Sequence, residues 1–550
     1  MNIINGYPEY MMCSIELVEE KREANLNADI QPLTLAEREK VLNENHPDFM
    51  EGTRREVTVG VDKGKMMYGG IVDLLEARPI ISSKDIDLSK VDFDVDILII
   101  GGGGAGTVAA LFAHENGIPA ENMLIATKLR HGDSNSMMSQ GGIQAADRPR
   151  DNPAQHYLDI YGGGHFSNKK DVIRALAMDG PEIINWHKDI GVMYDRTEDG
   201  NFQELSGGGT SRNRMHSCKD YTGMEIMRNI RDRSRNLDIP VLEFCPAVEL
   251  ILDDSGAVSG AVLFNMETHD VHTVRAKATI IATGGSGRLH LSNYPTTNHY
   301  GATGDGLVMA YHTGANLLDL DTIQIHPTGD AFPEAIVGIL TTEKVRGLGA
   351  KPLNKDGDPF VFPLEPRDVE SACFIRECKA GRGLITPTGM NGVWLDSPMI
   401  DIIHGKGTIE KKLAGEVRKF KRFGIDMTKH PILVYPTLHY QNGGVEINPD
   451  CETAIPGLFA AGEVTGGVHG KNRLMGNSVL DYNVFGRRAG IFTAKYVKNR
   501  TIGKLTLDHL DKYNRMLDDL NIKSGRKAPM LLPEYREKEA LARALDLPMS

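Results

Sequence analysis

The chain has 550 residues, 41% of them apolar and 25% charged, with a formal net charge of -12, a composition for two or three globular domains rather than a disordered chain. The acidic balance argues against nucleic acid as a partner, and no apolar run approaches the roughly 20 residues that a membrane helix requires. The first ten residues lack the basic-then-apolar layout of a secretory signal, so the expectation is a cytoplasmic protein that reaches a membrane only through partner subunits.

Residues 1 to 93 precede the first strand of the recognisable core and contain Leu33-Thr-Leu-Ala-Glu-Arg, where Thr34 and Glu37 fit a capping box ahead of an amphipathic helix. This extension reads either as a surface appendage or as a docking segment for a partner. Asp94-Val-Asp-Ile-Leu-Ile-Ile100 is a β-branched apolar run, followed at once by Gly101-Gly-Gly103-Gly104-Ala105-Gly106 and a helix pattern. Strand, glycine turn and helix form the context in which G-x-G-x-x-G signals a dinucleotide. Gly101 permits the tight turn, Gly103 lets backbone N–H groups approach a pyrophosphate, and Gly106 lets helix and strand pack closely, with the phosphate at the positive helix end.

After the next strand, Asn122 to Lys128, no acid stands where an NAD-type fold places its ribose-binding Asp or Glu, which lowers the case for NAD. Lys277 to Gly285 and Gly457 to Glu463 are two further strands ending in small-residue turns. Segments so far apart suit a large cofactor wrapped by several of them, which favours FAD. Cys13, Cys218, Cys245, Cys373, Cys378 and Cys451 are too few and too scattered for an iron–sulfur cluster or a zinc site, so no metal is expected. Electrons then need a small carrier or a separate partner that holds the clusters. Leu505 to Asn514 reads as one more helix, followed by a Pro-containing extension.

The second half carries Gln324-Ile-His326-Pro-Thr, Thr342-Glu343-Lys-Val-Arg346, Arg367-Asp368, His439-Tyr-Gln-Asn-Gly-Gly and Asn472-Arg473-Leu. Downstream of a dinucleotide fold these supply cationic and neutral donors for two carboxylates, a small-dicarboxylate redox site. A local cluster of Arg and His overrides the acidic average, because near charges in low dielectric set the field of a pocket.

From about Asp94 to Arg500 the chain resembles the flavoprotein subunit of the fumarate reductase and succinate dehydrogenase family, which includes L-aspartate oxidase. The resemblance rests on Gly101 to Gly106, Ser139-Gln140-Gly141-Gly142-Ile143, Arg196 to Gly200, Thr283-Gly284-Gly285, Thr303-Gly-Asp305-Gly306 and the five second-half stretches, in this order. It implies an α/β fold: an FAD-binding Rossmann-like domain over residues 94–322 and 445–500, an inserted α+β capping domain over 323–444, and a C-terminal helical tail over 501–550. Respiratory members carry a longer helical domain there, so docking of a partner in the usual way is not assured.

The resemblance further implies that FAD lies against Gly101, Gly103, Gly104, Ala105, Gly106, Thr127, Lys128, Asn135, Ser136, Gln140, Gly141 and Gly142. From later segments it adds Thr283, Gly284, Asp305, Glu463, Asn477, Ser478 and Leu480. His439 and Arg473 hold one carboxylate and His326 and Thr342 the other, Arg367 is the proton donor, and Glu343 and Arg346 refill it. The implied reaction is reduction of fumarate to succinate, or their interconversion, and the implied partner is an iron–sulfur subunit. The alternatives are L-aspartate oxidase, an enzyme for another small unsaturated dicarboxylate, and an electron-transfer protein without catalysis. Two positions depart from the family. Asn135 stands where respiratory members have the His that bonds covalently to the flavin, so noncovalent FAD is expected, and Asn442 replaces the usual Met, where a polar group would alter flavin or substrate contacts.

Overall fold

The computed structural model describes residues 2–289 and 291–533; the end of the tail expected to be helical lies outside them. Two helices open the chain, α1 (Glu9–Asn27) and α2 (Leu35–Asn45). Thr34 caps α2 as its sequence predicts: its side chain accepts from the Glu37 N–H, and Glu37 Oε2 accepts from the Thr34 N–H at 2.8 Å. The extension is not a surface appendage. Tyr7, Met11, Ile15 and Val18 with Val41 and Leu42 are buried in one apolar cluster with Phe332, Phe374, Trp394 and Leu433, and Trp394 Nε1 donates to Ser14 Oγ at 2.8 Å.

The dinucleotide motif then folds as β1 (Phe93–Ile100), α3 (Gly104–Glu115) and β2 (Met123–Ala126), followed by β3 (Val241–Leu242), β4 (Ala247–Asp253), β5 (Val258–Phe264) and β6 (Val271–Ile281). A second group comprises β7 (Ile323–Asp330), β8 (Pro352–Leu353), α4 (Arg367–Lys379), β9 (Asn391–Leu395) and β10 (Ile432–Gln441). The chain returns through β11 (Leu458–Ala460), α5 (Asn477–Tyr496) and β12 (Leu505–Thr506).

The larger sheet has the order β3-β2-β1-β6-β5-β4-β12, with β11 also on β6. Strands β3, β2, β1, β6 and β11 pair in parallel, and β5, β4 and β12 add antiparallel pairs. Buried on both faces, β1 ends in the unbroken apolar run Ile97 to Ile100, as parallel strands covered by helices do. The smaller sheet is antiparallel, in the order β7-β10-β9-β8. Its strands β7 and β10 carry the two histidines, and α4, packed across it, begins with Arg367.

Candidate active site

At the carboxyl end of β1, Gly101 adopts φ +122°, where a Cβ would overlap the Ala282 carbonyl, and a Cβ on Gly106 would overlap the Gly101 carbonyl oxygen. These two positions need glycine for the turn and for the helix–strand approach the sequence suggests. The N-cap residue Gly103 has no side chain to offer, the Gly104 N–H donates to Ser136 Oγ at 3.1 Å, and Gly103, Gly104 and Ala105 line a cleft. The helix N-terminus facing this cleft suits a pyrophosphate.

Thr127, Lys128, Asn135, Ser136, Gln140, Gly141, Gly142, Thr283, Gly284, Asp305, Glu463 and Ser478 line the same cleft. Lys128 is ion-paired with Asp305 and donates to Thr303 Oγ1 at 2.7 Å. Three expected contacts lie outside the lining. Gly106 acts through packing against Gly101, Asn477 is buried with Oδ1 3.1 Å from His156 Nε2, and Leu480 is buried in the core. Asn442 also turns away, its Nδ2 donating to the Lys471 carbonyl at 2.8 Å, so the polar replacement does not reach the cleft.

The dicarboxylate candidates gather at the other end of the cleft, where His326, Thr342, Glu343, Arg367, His439 and Arg473 all contribute to the lining. Register explains the histidine pair. His326 on β7 faces Thr437 on β10, and His439 is the extra residue of a bulge between Leu438 and Tyr440, which pair with the consecutive Ile325 and Gln324; such a bulge re-aims a side chain. Their rings lie 4.9 Å apart, edge to face. The Thr328 N–H donates to His326 Nδ1 at 3.2 Å, so the neutral ring carries its proton on Nε2, which is buried with no hydrogen-bond partner among the described residues. Burial, with Arg367 and His439 adding to it, holds His326 well below the usual histidine range. His439, with Nδ1 2.8 Å from Thr297 Oγ1, is lowered in the same way by burial and by Arg367 and Arg473. Both rings are therefore neutral near pH 7, and His326 Nε2 lies 3.9 Å from Glu343 Oε2.

Arg367 opens α4, at the end of a helix whose dipole disfavours a cation. Its Nε donates to Glu343 Oε2 at 2.8 Å and its Nη1 to Gln324 Oε1 at 3.0 Å. Burial pulls the guanidinium below its ordinary value, and Glu343 reverses only part of that. Arg367 does not pair with its neighbour Asp368, which bonds instead to His165 at 2.7 Å and accepts from Asn472. Glu343 is pushed up by burial, but Arg367 and Arg346 more than reverse this, so it stays ionised. It also accepts from the Gly208 N–H at 2.7 Å. Arg346 Nη2 lies 3.6 Å from Glu343 and is fully buried behind it, outside the cleft lining.

Arg473 lies 4.4 Å over the Tyr440 ring, and its Nη2 donates to Gln324 Oε1 at 2.8 Å. Its Nε is buried without a hydrogen-bond partner among the described residues. Burial, reinforced by Arg367, pulls this guanidinium down to about 9, so it remains charged at neutral pH. Gln324 is the functional residue that motif reading missed: one amide oxygen orients both arginines. Its signal was its place two residues before His326 on one strand, hence on the same face.

A family model described as an FAD binding domain matches residues 96–479. An uncharacterized FAD-dependent oxidoreductase of Methanocaldococcus jannaschii is 39% identical over 443 residues, 78% of either chain. A chain of the fumarate reductase (CoM/CoB) of Methanothermobacter marburgensis is 36% identical over 414 residues, 73% of either chain. Among solved structures, the FrdA chain of an E. coli quinol fumarate reductase variant superposes with a TM-score of 0.69 at 30% identity, covering 78% of this chain and 74% of its own. The chain belongs to the FAD-binding flavoprotein family of the fumarate reductases and succinate dehydrogenases.

Proposed function

We propose that the protein reduces fumarate, or a close unsaturated dicarboxylate, to the saturated acid, and that it works as the flavoprotein of a complex whose iron–sulfur subunit delivers the electrons. The observation that carries this reading is Arg367, a buried guanidinium of lowered pKa bonded to an ionised Glu343 on the wall of the cleft that the dinucleotide glycines share. An electron relay alone has no use for such a proton donor.

Charge supports the substrate class. Arg367 and Arg473 line the cleft against Glu343, so cationic donors outnumber the carboxylate beside them, while neutral His326 and His439 add hydrogen bonds without more charge. Arg473 and His439 hold one carboxylate through charge-assisted and neutral donors, and His326 and Thr342 hold the other. Gly103, Gly104, Ala105, Lys128, Asn135, Gly141 and Glu463 would hold FAD, which when bound would supply the hydride. Fixing both ends of the substrate presents its central carbon to Arg367, which donates a proton as carbanion-like charge develops. Glu343 and Arg346 refill Arg367. For the partner, the support is that the six cysteines are free and separate and that the methanogen relative bears the name of one subunit of its enzyme. No helix among the described residues is long and apolar enough to cross a membrane, so membrane attachment in this reading comes through other subunits.

The test is anaerobic assay of the purified protein with a reduced viologen as donor and fumarate as acceptor. Viologen oxidation with stoichiometric succinate is expected. A protein inactive in that assay which, in a separate aerobic assay, forms iminoaspartate from aspartate with dioxygen reduced to peroxide contradicts the proposal in favour of an aspartate oxidase.

A further inference from the structure

The chain of charged groups behind Arg367 does not stop at Arg346. Arg346 Nη1 donates to the Pro363 carbonyl at 2.7 Å and to Glu370 Oε2, and Glu370 stands one turn along α4 from Arg367. Glu370 is fully buried, and its other oxygen, Oε1, has no hydrogen-bond partner among the described residues. A bare oxygen on a dry, ionised carboxylate is costly. Protonation removes the charge from this dry site while Oε2 still accepts from Arg346, which places a carboxyl that can hold a proton directly behind the Arg346–Glu343–Arg367 chain. Burial raises Glu370 well above the ordinary carboxyl range; Arg346 and Arg367 oppose this, and Glu343 and Glu365 add to it.

The other groups around Glu370 do not supply a competing proton. His326 on β7 is held neutral, and burial pushes the Cys373 thiol on α4 up to about 12. Glu365, just ahead of α4, bonds outward to the N-terminal segment. It accepts the Leu33 N–H at 2.5 Å and lies 2.8 Å from Arg38 Nη2 on α2, whose side chain is 29% exposed.

We propose that Glu370 is the proton reservoir of the relay. The proposal rests on the reading of Arg367 as proton donor. Arg367 gives a proton to the substrate carbon. Glu343 passes it a replacement taken from Arg346, the Glu370 carboxyl reloads Arg346 through the oxygen that Arg346 touches, and the Glu370 carboxylate is reprotonated from solvent between turnovers. One proton moves from solvent to substrate, and no electron travels this route. Glu370 touches neither substrate nor flavin and acts through Arg346 as a positioning residue.

The test is the pH profile of kcat for fumarate, with reduced viologen as donor, in wild type, Glu370→Gln and Glu365→Gln. Wild-type kcat should fall on the alkaline side as Glu370 loses its proton. Glu370→Gln should lower kcat about tenfold or more, within the range of proton-transfer effects, abolish that limb, and leave KM and bound FAD unchanged. Glu365→Gln removes a negative charge that holds the proton on Glu370, so it should move the limb to lower pH; this decides the matter alone if Glu370→Gln does not fold. A wild-type profile in Glu370→Gln, or an unmoved limb in Glu365→Gln, overturns the reservoir while leaving the proposed function intact. Absence of fumarate turnover in wild type overturns both.

Discussion

Arg367 and Arg473 share a single acceptor: Gln324 Oε1 lies 3.0 Å from Nη1 of the first and 2.8 Å from Nη2 of the second. One neutral amide thus sets the spacing between the proposed proton donor and the proposed anion clamp. Gln324 is held in turn through its Nε2, which donates to Asn472 Oδ1 at 2.9 Å and to the Arg473 carbonyl at 2.7 Å. Gln324→Ala should lower kcat/KM for fumarate about ten- to hundredfold, the cost of one or two charge-assisted hydrogen bonds, with FAD content unchanged. Activity within twofold of wild type would show that the two arginines are positioned without it.

Arg473→Ala removes a buried charge whose remaining donor, Nε, has no hydrogen-bond partner among the described residues. A loss of about 3 kcal/mol in transition-state stabilisation is expected, roughly a hundredfold in kcat/KM. Fumarate turnover within tenfold of wild type contradicts its role as anion clamp.

The lowered pKa of Arg473 gives a pH dependence with a definite sign. Burial and Arg367 bring it down to about 9, so raising the pH through that value removes the positive charge. The dissociation constant for succinate, read from the flavin spectrum, should rise above pH 9 by about tenfold per pH unit, since one proton is linked to binding. Arg473→Ala should abolish this rise. A flat profile above pH 9 in the wild type would contradict the assignment.

The flavin should be noncovalent. Asn135 Nδ2 donates to Asn298 Oδ1 at 2.7 Å and to Glu463 at 3.1 Å, and its Oδ1 accepts the His299 N–H at 2.7 Å. An amide so engaged offers no nucleophilic nitrogen. Acid precipitation should leave FAD in the supernatant; flavin fluorescence in the denatured polypeptide band would contradict this.

Much of this arrangement was legible in the sequence because its determinants are local. Gly101 and Gly106 answer to turn and packing constraints within one strand–turn–helix unit, and Thr34 and Glu37 close a capping box over four residues. His326 and His439 lie 113 positions apart and meet through the register of β7 and β10, which motif order suggested and pairing supplies. What stayed hidden depends on side-chain direction or long-range packing. Gln324 reads as an ordinary strand amide until two arginines converge on it. Asn442 stands among site residues yet turns to the Lys471 carbonyl, and α1 and α2 carry no motif that ties them to the second apolar cluster.

The central claim is that Arg367 delivers the proton, and reoxidation of the reduced flavin by fumarate in a single turnover tests it most directly. Arg367→Gln keeps a polar group near Glu343 and Gln324 but has no ionisable proton to give. The account predicts that the variant binds FAD, becomes reduced by viologen and then remains reduced on mixing with fumarate, at least about a hundredfold slower to reoxidise than wild type. Reoxidation of Arg367→Gln at the wild-type rate, with succinate formed, would contradict it.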